Sequence, residues 1–173
     1  YVLVLGAYYK LQTFIYLTAN GVIQGIRPLI SYNYGAGEYK RVQKILTTSL
    51  TLTASVMAGG VVLSYLIPGK LIGLFTSSAD SIAIGTRALH IISIGFVFSA
   101  VSITICGVLE GLGMGMRSFS VAVMRGAVII IPAAYLLSRI LGAEGGFVAF
   151  PVAEIITAGA AYLIYKRSHR LHL

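Results

Sequence analysis

The sequence predicts an all-α fold, a polytopic transmembrane helix bundle with five spans. Three observations carry this. The 173 residues are 57% hydrophobic and only 10% charged, with mean hydropathy +0.89, far from the roughly 25% charged residues of a soluble domain. Five stretches, at about 2–29, 45–67, 87–109, 119–141 and 146–165, reach or approach the ~20 helical residues that cross a ~30 Å hydrocarbon core. Turn chemistry separates them, and short connections favour antiparallel neighbours in a bundle.

The first stretch is apolar but interrupted by Lys10, Gln12, Asn20 and Gln24, which give it a polar face such as a cavity-lining helix would carry; Lys10 and Arg27 are also long enough to snorkel to opposite interfaces. It ends in Tyr34-Gly35-Ala36-Gly37, read as a turn. The second, third and fourth are near-continuous runs of Val, Ile, Leu, Ala, Ser and Gly, broken at Pro68-Gly69, at Ser77-Ser78-Ala79-Asp80 and at Gly113-Met114-Gly115. The stretch 70–86 is long and half apolar, so part of it is expected along the membrane surface. Gly142-Ala143-Glu144-Gly145-Gly146 separates the fourth span from the fifth. Tyr65, Tyr135, Tyr162 and Tyr165 fall near span ends, where an amphipathic ring suits the headgroup level. The chain opens at Tyr1 inside an apolar stretch and reads as part of something longer.

The net charge of +8 is a topology signal and not a nucleic-acid footprint, because the basic residues sit beside apolar spans and form no single stripe. Lys40, Arg41, Lys44, Arg117, Arg125, Lys166, Arg167 and Arg170 fall on one side; Lys70, Arg87 and Arg139 fall on the other. Eight against three places the first side, and the C-terminus, in the cytoplasm of a multi-pass protein of the plasma (inner) membrane. The single cysteine, Cys106, allows no internal disulfide and no zinc spacing, and reads as a small buried thiol.

Several residues carry possible function. A charge near the bilayer centre costs a few kcal/mol by insertion scales and must face protein or water. Glu154, about eight residues and ~12 Å into the last span, is the clearest case. It reads as a handler of protons or cationic substrate, or as a structural partner to an arginine or backbone donors. Arg125 reads as an anchor or interhelical partner in the fourth span, and Glu110 as a solvated partner of Arg117 or Arg125. Gly95, Ser99, Gly107, Gly111 and Gly115 share a ridge at four-residue spacing, broken by Ile103, which suits close helix packing or a sliding surface. Pro28, Pro132 and Pro151 interrupt the helical ladder; Pro132, in mid-span, suits either a structural kink or a hinge. His90 reads as an interface residue. His169, Arg170 and His172 are too sparse for a metal site. No metal site, cofactor pocket, nucleophilic triad or phosphate loop is indicated, and Gly111-x-Gly113-x-Gly115 lacks the strand and spacing of a nucleotide fingerprint. The sequence reads as a non-enzyme.

The segment from Asn20 to Leu46 is the most informative. Gly21 is followed by Pro28-Leu29-Ile30-Ser31-Tyr32-Asn33-Tyr34-Gly35-Ala36 and then by Lys40, Arg41 and Lys44. This run resembles the loop after the second and eighth helices of multidrug and toxic compound extrusion (MATE) transporters, and the downstream helices fit that family in order. The resemblance covers nearly the whole chain. It implies helices eight to twelve, the carboxyl-terminal lobe of a twelve-helix, two-lobe transporter, with the amino-terminal lobe and the preceding helix as missing partners. It further implies export of cationic and amphipathic drugs in antiport with H+ or Na+, by alternating access, without an organic cofactor. The wall of the drug cavity would then be the polar face of the first span, Tyr16, Asn20 and Gln24, with Glu154 beyond it. The chain departs from the family at Arg27, where relatives more often carry Gln, and in the third span, where residues 96–105 hold no carboxylate. A lipid-linked oligosaccharide flippase of the same superfamily, or a non-transporting assembly protein or remnant, stays open beside the antiporter.

Overall fold

The computed structural model describes residues 2–172, with side chains for residues 5–142 and 144–168; the expectations for the histidines at 169 and 172 and for Arg170 lie outside the described side chains. Apolar runs without helix breakers become helices longer than the runs themselves. The order is α1 (Val2–Gly35), α2 (Tyr39–Leu66), a short α3 (Pro68–Gly73), α4 (Ala79–Gly111), α5 (Gly115–Val123), a π turn over Met124–Ile129, α6 (Ile130–Leu141), a 3-10 turn at Gly142–Glu144 and α7 (Gly145–His172). No strand occurs among the described residues. Four helical stretches, Tyr39–Leu66, Ala79–Gly111, Gly115–Leu141 and Gly145–Ser168, are long and apolar enough to cross a membrane. The 34-residue α1 matches them in length but not in apolarity, for the reason visible in its polar face.

The helix ends correct one reading of the sequence. Ser31 to Gly35 is the last turn of α1 and not a loop, and Pro28 lies inside the helix. The turn itself occupies Ala36 to Glu38. Glu38 N donates to Asn33 O at 2.9 Å and Gly37 N to Tyr34 O at 3.0 Å, while Gly37 takes φ 74. This is a Schellman cap, which needs the left-handed backbone a glycine adopts without a Cβ clash. The same cap closes α4: Met114 N donates to Leu109 O at 2.8 Å, Gly113 N to Glu110 O at 3.0 Å, and Gly113 has φ 76. A run of glycines therefore marks a helix stop here, as the sequence suggests, but the helices end later than hydropathy places them, at Gly35 and Gly111 where the apolar spans end at residues 29 and 109. The 70–86 stretch resolves into α3, with Pro68 at its first position, and an early start of α4, where Ser78 Oγ accepts from Ser81 N at 3.5 Å.

α4 is the core helix. It packs against α1, α2, α3, α5 and α7, and most of its length is buried, whereas α6 has no buried residue. Small residues make that centrality possible. A Cβ at Gly95 would lie 3.1 Å from Pro151 Cα of α7, one at Gly107 would overlap Ile23 Cγ2 of α1, and one at Gly111 would lie 3.0 Å from Arg27 O. The small-residue ridge is thus split between two neighbours. Gly115 is not on it, since it begins α5 with open space about it. Most hydroxyls along α2 are satisfied locally, because Thr47, Ser49, Thr51, Ser55 and Ser64 donate to carbonyls one turn back; Thr53 Oγ1 is buried without a hydrogen-bond partner.

Candidate functional site

Four elements converge on one buried polar node. Pro132 lacks the N–H that would bond Val128 O, and its ring crowds that carbonyl. The helix relaxes just upstream into the wider π turn, and Arg125 sits in that turn. From there its Nε reaches Glu154 Oε1 of α7 at 3.1 Å, with side chains 29% and 12% exposed. Tyr16 of α1 joins from the other side: its hydroxyl donates to Ser99 Oγ of α4 at 2.6 Å and lies 3.4 Å from Glu154 Oε1. Ser99 passes the chain on, donating to Gly95 O at 3.0 Å. The Arg125 guanidinium also covers the Tyr16 ring at 5.2 Å from its centroid, a cation–π arrangement. Glu154 Oε2 is buried without a hydrogen-bond partner.

Aromatic packing fixes the node from below. Tyr16 meets Phe96 edge-on with centroids 6.1 Å apart, Phe96 stacks with Tyr8 at 6.4 Å, and Phe150 meets Tyr8 at 5.5 Å. Two cavities adjoin at Asn20 and Arg125. One, about 290 Å³, runs past Ser102, Gly107 and Ser118 to Arg27 and Glu110. The other, about 310 Å³, is bounded by Gln12, Thr13, Tyr16 and Leu17. The far end of the first is held by a second polar cluster, in which Glu110 pairs with Arg27 at 2.5 Å and accepts from Ser118 Oγ at 2.7 Å.

Of the residues singled out from sequence, the fold brings Tyr16, Asn20 and Glu154 together around Arg125. Gln24 is exposed and lines neither cavity. Glu110 takes Arg27, not Arg117 or Arg125, because Arg27 lies across the α1–α4 contact made close by Gly107 and Gly111; Arg27 is accordingly an interhelical partner. His90 stacks on Tyr65 with centroids 4.6 Å apart, and its carbonyl accepts from the Tyr65 hydroxyl at 3.1 Å. The sequence singled out neither Ser99 as a hydroxyl relay nor the π turn as the mount of Arg125. A proline seven residues after a lone arginine in an apolar span was the available signal.

Comparison with known proteins places this geometry. The MatE family model matches residues 4–136. The chain is 29% identical over 161 residues to the multidrug export protein MepA of Staphylococcus aureus (strain MSSA476), covering 92% of this chain and 35% of that protein. It is 26% identical over 159 residues to MepA of Staphylococcus saprophyticus, with the same coverages. The chain thus spans about a third of the length of these relatives. Among solved structures, the outward-facing conformation of a multidrug resistance MATE family transporter of the MOP superfamily superposes with TM-score 0.93 at 16% identity, over 99% of this chain and 39% of that one. The MATE multidrug transporter DinF-BH in complex with R6G gives 0.85 at 25% identity, over 95% and 37%. The Vibrio cholerae MATE transporter VcmN in the bent form gives 0.86 at 20%, over 96% and 39%.

Proposed function

The chain belongs to the MatE family and is an integral, multi-pass membrane protein, and from that premise we propose that it is the carboxyl-terminal lobe of a multidrug exporter. In this reading the complete protein exports cationic and amphipathic compounds in antiport with H+ or Na+ by alternating access, in the plasma (inner) membrane, with the C-terminus cytoplasmic. The α1 helix also crosses the membrane, as the first of the five spans, and an amino-terminal lobe supplies the opposite wall.

The observation that carries the proposal is the pair of cavities that meet at Asn20 and Arg125 on the polar face of α1. A substrate wall needs apolar surface with a few fixed polar groups. Ile23, Ile103 and Val121 supply the first; Asn20, Ser102 and Ser118 supply the second. Glu154 is the one carboxylate among the described residues placed deep in the bundle, and Arg125 already balances it. The lobe in this state offers a neutral wall, and the principal coupling-ion carboxylate belongs to the other lobe. An antiporter couples its fluxes when ion and substrate exclude each other from shared charge.

The test is ethidium efflux by the complete transporter in proteoliposomes under an imposed proton or sodium gradient. Gradient-driven efflux of ethidium, with no movement of a lipid-linked sugar, is expected. Movement of the lipid-linked sugar alone would overturn the reading in favour of a flippase. Combined Asn20→Ala and Gln24→Ala substitution should change the range of exported drugs more than the ion stoichiometry, and the change should be reproduced by Asn20→Ala alone. An unchanged drug range in the double variant would remove α1 from the wall.

A further inference from the structure

Glu154 is the most buried carboxylate described, and its partner is not a fixed structural arginine of an ordinary kind. Arg125 makes two contacts that define an organic-cation site: a carboxylate at 3.1 Å and the face of a tyrosine ring at 5.2 Å. A flat, delocalised cation seeks that same pair of surfaces, charge compensation at its edge and a π face beneath it. Arg125 also borders both cavities, so the space into which its side chain can rotate is present on either side. Its mount is a widened turn that also holds Gly126, against which a side chain would find open space.

We infer that Glu154 and the Tyr16 ring form a binding site for planar organic cations, and that Arg125 occupies this site as a tethered competitor until a ligand displaces it into the adjoining cavities. The inference rests on the exporter reading above and extends it by assigning a cation subsite to this lobe. Its physical logic is exchange without a naked charge. Removing Arg125 from Glu154 with nothing in its place would leave a buried carboxylate unpaired, which is strongly disfavoured. A cationic ligand takes over that role while a neutral analogue cannot, so selection by charge follows from the competition itself. Glu154 Oε2, buried and without a hydrogen-bond partner, is an acceptor that an N–H-bearing cation can use and that Arg125 leaves idle. Displaced Arg125 still has hydrogen-bond partners within the cavity walls, at Asn20 and Ser118. Tyr8 and Tyr16 on α1 and Ser99 on α4 also act on Glu154. None of them carries a positive charge at neutral pH, so Arg125 is the cation that a ligand has to replace.

The experiment is equilibrium binding of ethidium, with a neutral phenanthridine as control, to the complete transporter in detergent or nanodiscs. If Arg125 fills the site for about nine-tenths of the time, deleting it raises apparent affinity on the order of tenfold, because the binding-competent fraction rises to one. Arg125→Gln should therefore bind ethidium about ten times tighter than the parent, and Arg125→Lys, which keeps a competing cation, should gain less. Glu154→Gln should weaken ethidium binding, Tyr16→Leu should do the same, and Glu154→Gln added to Arg125→Gln should abolish the gain. Binding of the neutral control should follow none of these changes. Equal or weaker ethidium binding by folded Arg125→Gln would overturn the inference, as would undiminished binding by Glu154→Gln. Should Arg125→Gln not reach the membrane, Glu154→Gln decides alone, since it leaves no unpaired carboxylate. Ethidium efflux that survives either overturning result would leave the exporter reading standing while removing this site; absence of ethidium efflux from the parent would remove the exporter reading instead.

Discussion

At the residue scale, single side chains in this helix bundle are fixed by contacts that periodicity signals but does not identify. Gly107 is the sharpest case. A methyl group there would overlap Ile23 Cγ2, and forced overpacking of a closed interface typically costs ~1–3 kcal/mol. Gly107→Ala is expected to lower the thermal midpoint of the complete protein, measured by intrinsic fluorescence in nanodiscs. Ile23→Leu in the same background, which removes the Cγ2 branch, should recover part of the loss, which places the strain at that one contact. Gly59→Ala serves as the control, because a Cβ there meets nothing, and it should leave the midpoint unchanged or raised. The small-residue spacing in α4 was legible in the sequence as close packing. The identity of the neighbours was not, since it depends on which face of α1 turns inward, and Lys10, Arg27 and Gln24 made that face ambiguous. Likewise, depth alone marked Glu154 as needing a partner, whereas choosing Arg125 over the other basic residues required the π turn that displaces its side chain. Glu110 was assigned the wrong arginine because depth in the membrane selected Arg117 and Arg125, while the partner arrives from α1.

Among the elements, the span from α5 through α6 differs from the rest in having its break built in. Pro132 explains why regular hydrogen bonding fails, and the π turn shows where the surplus carbonyl geometry is absorbed. Pro132→Ala restores the missing N–H and should let the segment revert toward a continuous α-helix. That change advances the register of everything on one side of it by a fraction of a turn, so Arg125 would no longer address Glu154 squarely. The expected result is a slower transport rate with little loss of expression, together with a changed spin-label distance between the two ends of the span. An unchanged distance would show that the π turn does not depend on the proline. Helix existence and order were readable throughout this chain, because apolar length and glycine stops are local. Boundaries were less so: the Schellman caps at Gly37 and Gly113 let polar residues such as Tyr32, Asn33 and Glu110 finish helices that hydropathy ends earlier. Capping can be tested at α4, where Ser78→Ala removes a side-chain acceptor worth about 1 kcal/mol at an N-terminus; faster amide exchange at the start of that helix is the expected sign.

For the molecule as a whole, burial is uneven. α4 is enclosed on most sides, while α6 and the outward faces of α2 and α7 present Leu, Ile and Tyr to their surroundings. In water such a surface would drive association. In a bilayer part of it meets acyl chains, and part is available to a second lobe. Expression of residues 1–173 without other chain should therefore give material that is extracted by detergent yet loses its ordered tertiary signal, regained on co-expression with the amino-terminal portion; a stable, monodisperse product would show that the five helices need no partner. The node in the middle of the lobe has an electrical meaning as well. Moving one uncompensated charge through a membrane potential changes the energy by ~2.3 kcal/mol per 100 mV. Arg125 and Glu154 lie within one ion-pair distance of each other and would travel together in any rocking of the lobe. Their motion carries almost no current. The voltage sensitivity of the transport cycle would then come from the cargo, its counter-ion and charges outside this pair, and the pair itself would be nearly invisible to the field.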